Sequence, residues 1–116
     1  MSREEDAPVE VQQPPDVSAA VHLDDVVHQR TRLGLLVVLA EVHQADFTYL
    51  KTRLQLTDGN LGKHIEILAR HDLVSVRKGY EGRRPRTWIS ISRAGKEALQ
   101  QEVNALTALL SLDAQR

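Results

Sequence analysis

Between Thr57 and Leu112 the spacing of apolar residues changes twice, and those two changes leave few folds open. Leu61, Ile65 and Leu68 stand at i, i+4 and i+7, one face of a helix that runs to about His71. Leu73 to Arg77 then alternates, Gly79 to Pro85 is rich in turn residues and charge, and Thr87 to Ile91 alternates again. That is a β-hairpin with a basic loop. From Ser92 or Arg93 the helical period returns, with Leu99, Val103, Leu106, Leu109 and Leu110 forming a stripe to Leu112. Upstream, Thr48 to Gln55 carries Tyr49, Leu50 and Leu54 in helical register before Leu56-Thr57-Asp58-Gly59 interrupts it. Thr57 or Asp58 can cap the next helix, because each side chain accepts a hydrogen bond from a first-turn N–H. Two short helices around a tight turn predict a helix-turn-helix.

The chain before this unit divides in two. Residues 1–16, proline-containing and acidic, predict a disordered tail that ends at Pro14-Pro15. From Val17, with Ser18 as cap, a helix is expected to run to about Val42 on Val26, Val27, Arg30, Leu33, Val37 and Ala40. Leu35, Leu36, Val38 and Leu39 fill its other sides, so it is expected to be buried, centrally or against a second subunit. His43-Gln44-Ala45-Asp46 reads as a polar break. The expected organisation is a tail over 1–16, one domain over 17–112 and a short tail over 113–116. The fold class is mainly α with a small β-hairpin: a winged helix-turn-helix with terminal dimerisation helices.

The 116 residues suit one domain. Only Phe47, Tyr49, Tyr80 and Trp88 are aromatic, so the core must be aliphatic. Cysteine is absent, which removes disulfides and thiolate chemistry and makes the cytoplasm the natural compartment. No apolar run approaches the roughly 20 residues that span a bilayer, and the acidic start argues against a signal peptide. The net charge of −1 hides an asymmetry. Residues 1–25 hold one Arg against seven acidic groups, whereas residues 46–96 hold eleven Lys or Arg against five. Distribution, more than the total, makes an electrostatic footprint.

Two motifs in order carry a resemblance. Thr57-Asp58-Gly59-Asn60-Leu61-Gly62-Lys63-His64-Ile65, with Leu68 and Asp72-Leu73-Val74, resembles the recognition-helix segment of the MarR-like and ArsR-like winged-helix regulators. Arg83-Arg84-Pro85-Arg86-Thr87 and Ile91-Ser92-Arg93-Ala94-Gly95-Lys96 resemble the wing and the start of the last helix in the same group. The resemblance covers about Leu23 to Leu110. Gly62 departs from the small hydroxyl residue of that group. The resemblance implies a sequence-specific, duplex-DNA-binding transcriptional regulator, a repressor that occludes a promoter. Some MarR-like relatives also take a small-molecule effector, and no residue here identifies a pocket for one.

With Leu61, Ile65 and Leu68 inward, the helix turns Asp58, Gly59, Gly62, Lys63, Glu66 and Arg70 outward, with Asn60 and His64 at the boundary. Such helices read bases mainly from their N-terminal part, which assigns Gly59, Asn60, Lys63 and His64 to base edges or nearby phosphates. Thr57, Asp58 and Gly62 complete the DNA-facing set on this helix. Gly59 and Gly62 each cost roughly 1 kcal/mol of helix propensity against Ala; close approach of the backbone to DNA is one return. On the hairpin, Arg77, Lys78, Arg83, Arg84 and Arg86 fall within ten residues, and Arg suits phosphate or a narrow minor groove. Arg83, Arg84 and Arg86 are the wing candidates. Lys51 and Arg53 could grip the backbone from the side, and Trp88 is assigned to anchoring the hairpin.

No nucleophile motif, phosphate loop or paired carboxylates point to an enzyme, and no cofactor is expected. Of the five histidines, no two stand at i, i+4. His22 with Asp24 or Asp25 is the one candidate metal set, but ordinary helix histidines explain the pattern and no metal site is expected. The stripe of Leu99, Val103, Leu106 and Leu110 outruns what a small wing can cover and predicts a homodimer through the last helix. The alternative is that this helix folds back on its own domain. A protein-interaction module and a non-specific, nucleoid-type DNA binder are the competing functions, and the basic wing argues for DNA over protein.

Overall fold

A computed structural model describes residues 24–114, with side chains through Ser111. The expected acidic tail, the helix start at Val17 and the candidate ligand His22 lie outside these residues. The central element is α1 (Arg30–Val42), capped by the Gln29 side chain, which accepts the Arg32 N–H. The helical period begins earlier in the sequence, yet residues 24–29 form turns. Asp24 caps a single turn: its carboxylate accepts the Val26 N–H at 2.9 Å, and its carbonyl accepts the N–H groups of Val27 and His28. The turn stops at Gln29, whose extended backbone starts α1 afresh. The buried side of α1 is Leu35, Leu36, Val38 and Leu39, whereas Val37 is exposed. The expectation of a buried central helix holds, with its inner face turned away from Val37.

α1 ends where His43 takes a positive φ of 69° and donates its N–H to the Leu39 carbonyl at 2.7 Å. The chain then forms a strand where the sequence reads as a polar break. β1 (Gln44–Asp46) is three residues long, too short to show a period, and only Ala45 is buried. α2 (Phe47–Leu54) follows without a loop, its first turn capped by Asp46, whose Oδ1 accepts the Tyr49 N–H at 2.7 Å. Gln55 closes α2 in the left-handed region. Thr57 caps α3 (Asp58–Arg70), accepting the Asn60 N–H at 3.2 Å. Leu61, Ile65 and Leu68 are buried as their spacing predicts.

β2 (Val74–Glu81) and β3 (Arg84–Ile91) pair antiparallel from Val74↔Ile91 to Glu81↔Arg84. The strands thus extend through most of the stretch predicted as loop, and only Gly82 and Arg83 turn. Gly82 has a φ of +63°, which a two-residue hairpin turn asks of its first central residue. β1 pairs β3 on the other side, Gln44↔Ser90 to Asp46↔Trp88, giving the sheet order β1-β3-β2. Pro85 sits beyond the last of these β1 pairs, where its missing N–H breaks no ladder.

Ser92 ties the hairpin to α4 (Arg93–Ala114): its hydroxyl accepts the Gly95 N–H at 2.9 Å and donates to the Asp72 carbonyl at 2.7 Å. α4 continues two residues past the expected boundary at 112. One core joins all elements through α1, with Leu35, Leu36, Leu39, Leu50, Leu61, Leu68 and Ile89 fully enclosed. Truncating one such Leu to Ala costs about 2–5 kcal/mol. Where the turn before α1 meets α4, Glu102 is 2% exposed and bonded to Nδ1 of His28, so the buried carboxylate has a partner. No helix among the described residues is long and apolar enough to cross a membrane.

Candidate nucleic-acid interface

The N-terminal half of α3 is polar and open to solvent because its apolar residues begin only at Leu61. Thr57, Asp58, Gly59, Asn60 and Lys63 are exposed, and Gly62 and His64 are half-buried. A Cβ built on Gly59 or Gly62 would meet nothing within 4 Å, so neither glycine is there for internal packing. Asp58, the one acid in the first turn, is paired with Lys51 of α2 at 2.9 Å. That pair offsets a negative charge at the helix end whose free N–H groups favour an anion. It also gives Lys51 a partner within the chain. Arg53 is engaged as well, with Glu41 at 3.0 Å and the Tyr49 hydroxyl at 2.7 Å.

The hairpin sorts its cations in the same way. Arg83 and Arg84 stand exposed at the tip with no ion-pair partner among the described residues. Arg86 is different: its guanidinium is held by the carboxylates of Asp46 and Glu81. Asp46 therefore serves α2 as cap and Arg86 as counter-ion, one oxygen to each. Arg77 lies over the Trp88 ring, 5.9 Å from its centre, and Trp88 is half-buried on β3, consistent with a hairpin anchor. Lys78 is exposed and lines a groove of about 700 Å³ between α3 and the hairpin, floored by Phe47, Ile65, Ala69 and Val76.

The surroundings of His64 bear on its titration. Burial lowers its pKa from the ordinary 6.5, and the nearby charges of Arg32 and Lys63 push the same way. Arg32 of α1 bonds the ring at 3.1 Å. Sequence periodicity gave no sign of Arg32, since it falls within a helix that reads as apolar nearly all round. Of the stripe on α4, Leu99 packs against the core, Leu106 is half-buried, and Val103 and Leu110 are exposed at 42% and 70%. Among the described residues no group of three or more His, Asp or Glu is placed to hold a metal ion.

An open, polar helix end beside a hairpin with a basic tip, on a helix-turn-helix core, defines a winged-helix transcriptional regulator. The chain belongs to the winged helix DNA-binding domain family, which matches residues 31–110. It is similar to a transcriptional regulator homologue of Pyrococcus horikoshii, at 29% identity and TM-score 0.76, over 83% of this chain and 95% of that one. HlyU of Vibrio cholerae shares 27% identity with a TM-score of 0.56, over 73% of this chain and 89% of its own. An uncharacterized protein of Methanocaldococcus jannaschii is 32% identical over 78 residues, 67% of this chain and 85% of that protein.

Proposed function

We propose that this chain is a MarR-like, sequence-specific repressor that acts in the cytoplasm as a homodimer and occludes promoter DNA. The N-terminal half of α3 enters the major groove and offers Gly59, Asn60, Lys63 and His64 to base edges, with Thr57, Asp58 and Gly62 beside them. Arg83 and Arg84 take phosphates or the minor groove. Arg86, bound to Asp46 and Glu81, acts by holding the wing. Val103, Leu106 and Leu110 of α4 meet their copies across a two-fold axis, with Leu99 behind them. That symmetry sets the two α3 helices about one DNA turn, roughly 34–36 Å, apart.

The observation that carries this reading is the division of the cations: Lys51, Arg53 and Arg86 are paired with carboxylates of the chain itself, whereas Lys63, Arg83 and Arg84 face solvent with no ion-pair partner among the described residues. Cations left open on one helix end and one hairpin tip are what a phosphate backbone can use. Selection of bound sites from randomised duplexes tests it. A pseudo-palindrome should be enriched, with a preference over random DNA of about 10³ or more. Binding without enrichment would indicate a nucleoid-type protein, and no salt-dependent binding would indicate a protein-interaction module.

A further inference from the structure

Arg32 lies outside both DNA-facing elements, yet its guanidinium reaches α3. Nε donates to the Val26 carbonyl at 2.6 Å and Nη2 to the Asp25 carbonyl at 3.2 Å, while Nη1 lies 3.1 Å from Nδ1 of His64. A guanidinium has five N–H donors and no acceptor. The bond to His64 therefore has only one polarity: Arg32 donates, and Nδ1 accepts with its lone pair. In the neutral ring the proton must then sit on Nε2. We propose that Arg32 is a positioning residue that holds His64 as a neutral imidazole and presents its Nε2–H to DNA as a donor. The proposal rests on the reading of α3 as the base-facing helix.

The charges around the ring agree with it. Arg32 from α1 and Lys63 from α3 itself both disfavour a second proton. Of the other elements packed on α3, α2 holds Lys51 on Asp58, and β2 turns Lys78 to the groove it lines with Glu66 and Arg70. No hydrogen bond of His64 Nε2 occurs among the described residues. A His64 fixed in this way reads acceptors only. Guanine N7 and O6, adenine N7, thymine O4 and phosphate oxygens satisfy it, whereas the cytosine amino group, itself a donor, does not.

The first test needs no DNA. Proton–nitrogen correlation spectra of the wild-type protein at neutral pH should show His64 protonated at Nε2 and bare at Nδ1; a proton on Nδ1 overturns the proposal. The second uses the duplex enriched by selection and titrates affinity between pH 5.5 and 8. Arg32→Met, checked for fold by circular dichroism, should weaken binding about tenfold or more at pH 8. It should also add a rise in affinity toward acid that disappears in the Arg32→Met/His64→Gln double variant. Should Arg32→Met not fold, His64→Gln against His64→Asn decides. Gln can present its amide near the Nε2 position and should bind more tightly than Asn, and equal binding overturns the donor role. Wild-type protein that binds no duplex defeats the reading of α3 itself, whereas DNA binding with an Nδ1–H ring defeats only the role of Arg32.

Discussion

Asp46 and Arg86, forty residues apart, share a carboxylate that also caps α2. Through this one side chain the outer half of the hairpin is fastened to the first helix of the helix-turn-helix. Asp46→Ala removes both functions and should cost about 2–4 kcal/mol, the sum of a lost cap and a lost charge-assisted bond. Asp46→Asn keeps the cap and should cost about 1 kcal/mol less. Denaturant midpoints measure both. The exposed pair Arg93–Glu97, cut in the same way, should move stability by less than about 0.5 kcal/mol.

The wing predicts a division among its arginines. Arg83→Ala/Arg84→Ala should weaken binding to selected and random DNA alike. The salt dependence should flatten by roughly 0.9 for each phosphate contact removed. Arg86→Ala should lower stability and leave the salt slope near that of the wild type. Equal slopes for all three proteins would remove the tip from the interface.

Two glycines should respond in opposite ways to the same substitution. A Cβ on Gly95 would stand 2.1 Å from the Leu73 carbonyl oxygen and 2.9 Å from Ile91, so Gly95→Ala should cost at least about 2 kcal/mol. At Gly62 nothing lies within 4 Å, and Ala should stabilise α3 by about 0.5–1 kcal/mol. If Gly62 serves close approach to DNA, the stabilised variant binds the selected duplex more weakly, a combination that melting and titration together would register.

His64 gives a pH dependence whose sign is fixed. Its folded pKa lies below the ordinary 6.5, so the unfolded chain binds the extra proton first as pH falls. Its contribution to stability is whole above about 6.5 and declines as the pH drops through the window beneath it. His64→Gln should level this part of the stability curve, compared with the wild type by denaturation at several pH values.

The outer face of α4 predicts assembly. Leu110→Glu removes an exposed leucine from the proposed two-fold interface twice over. It should raise the dimer dissociation constant at least about 100-fold. Light scattering at micromolar concentration reads the outcome, and a wild type that is itself monomeric would overturn the interface.

The sequence carried the helix-turn-helix, the hairpin and α4 because each has several apolar residues in one period: Leu61, Ile65 and Leu68 are all buried. It did not show β1, where a single buried residue, Ala45, has no period to display. Nor did it show where α1 begins, since the break is the extended backbone of Gln29, which the spacing of apolar residues does not record. The cations were legible as a group and not as individuals. Whether an arginine lacks a partner among the described residues, like Arg84, or is held, like Arg86, depends on groups distant in sequence, and Asp46 looks like loop until the fold brings it to the wing.

The strand β1 has a thermodynamic consequence. It is stitched to β3 along three residue pairs and runs into α2 with no residue between. The first helix of the helix-turn-helix and the wing are therefore parts of one stiff body, with α3 packed on the same core, and their mutual orientation is fixed when the chain folds. Little ordering entropy then remains to be lost on the duplex, and the affinity of so few contacts is correspondingly higher than for two elements joined by a hinge.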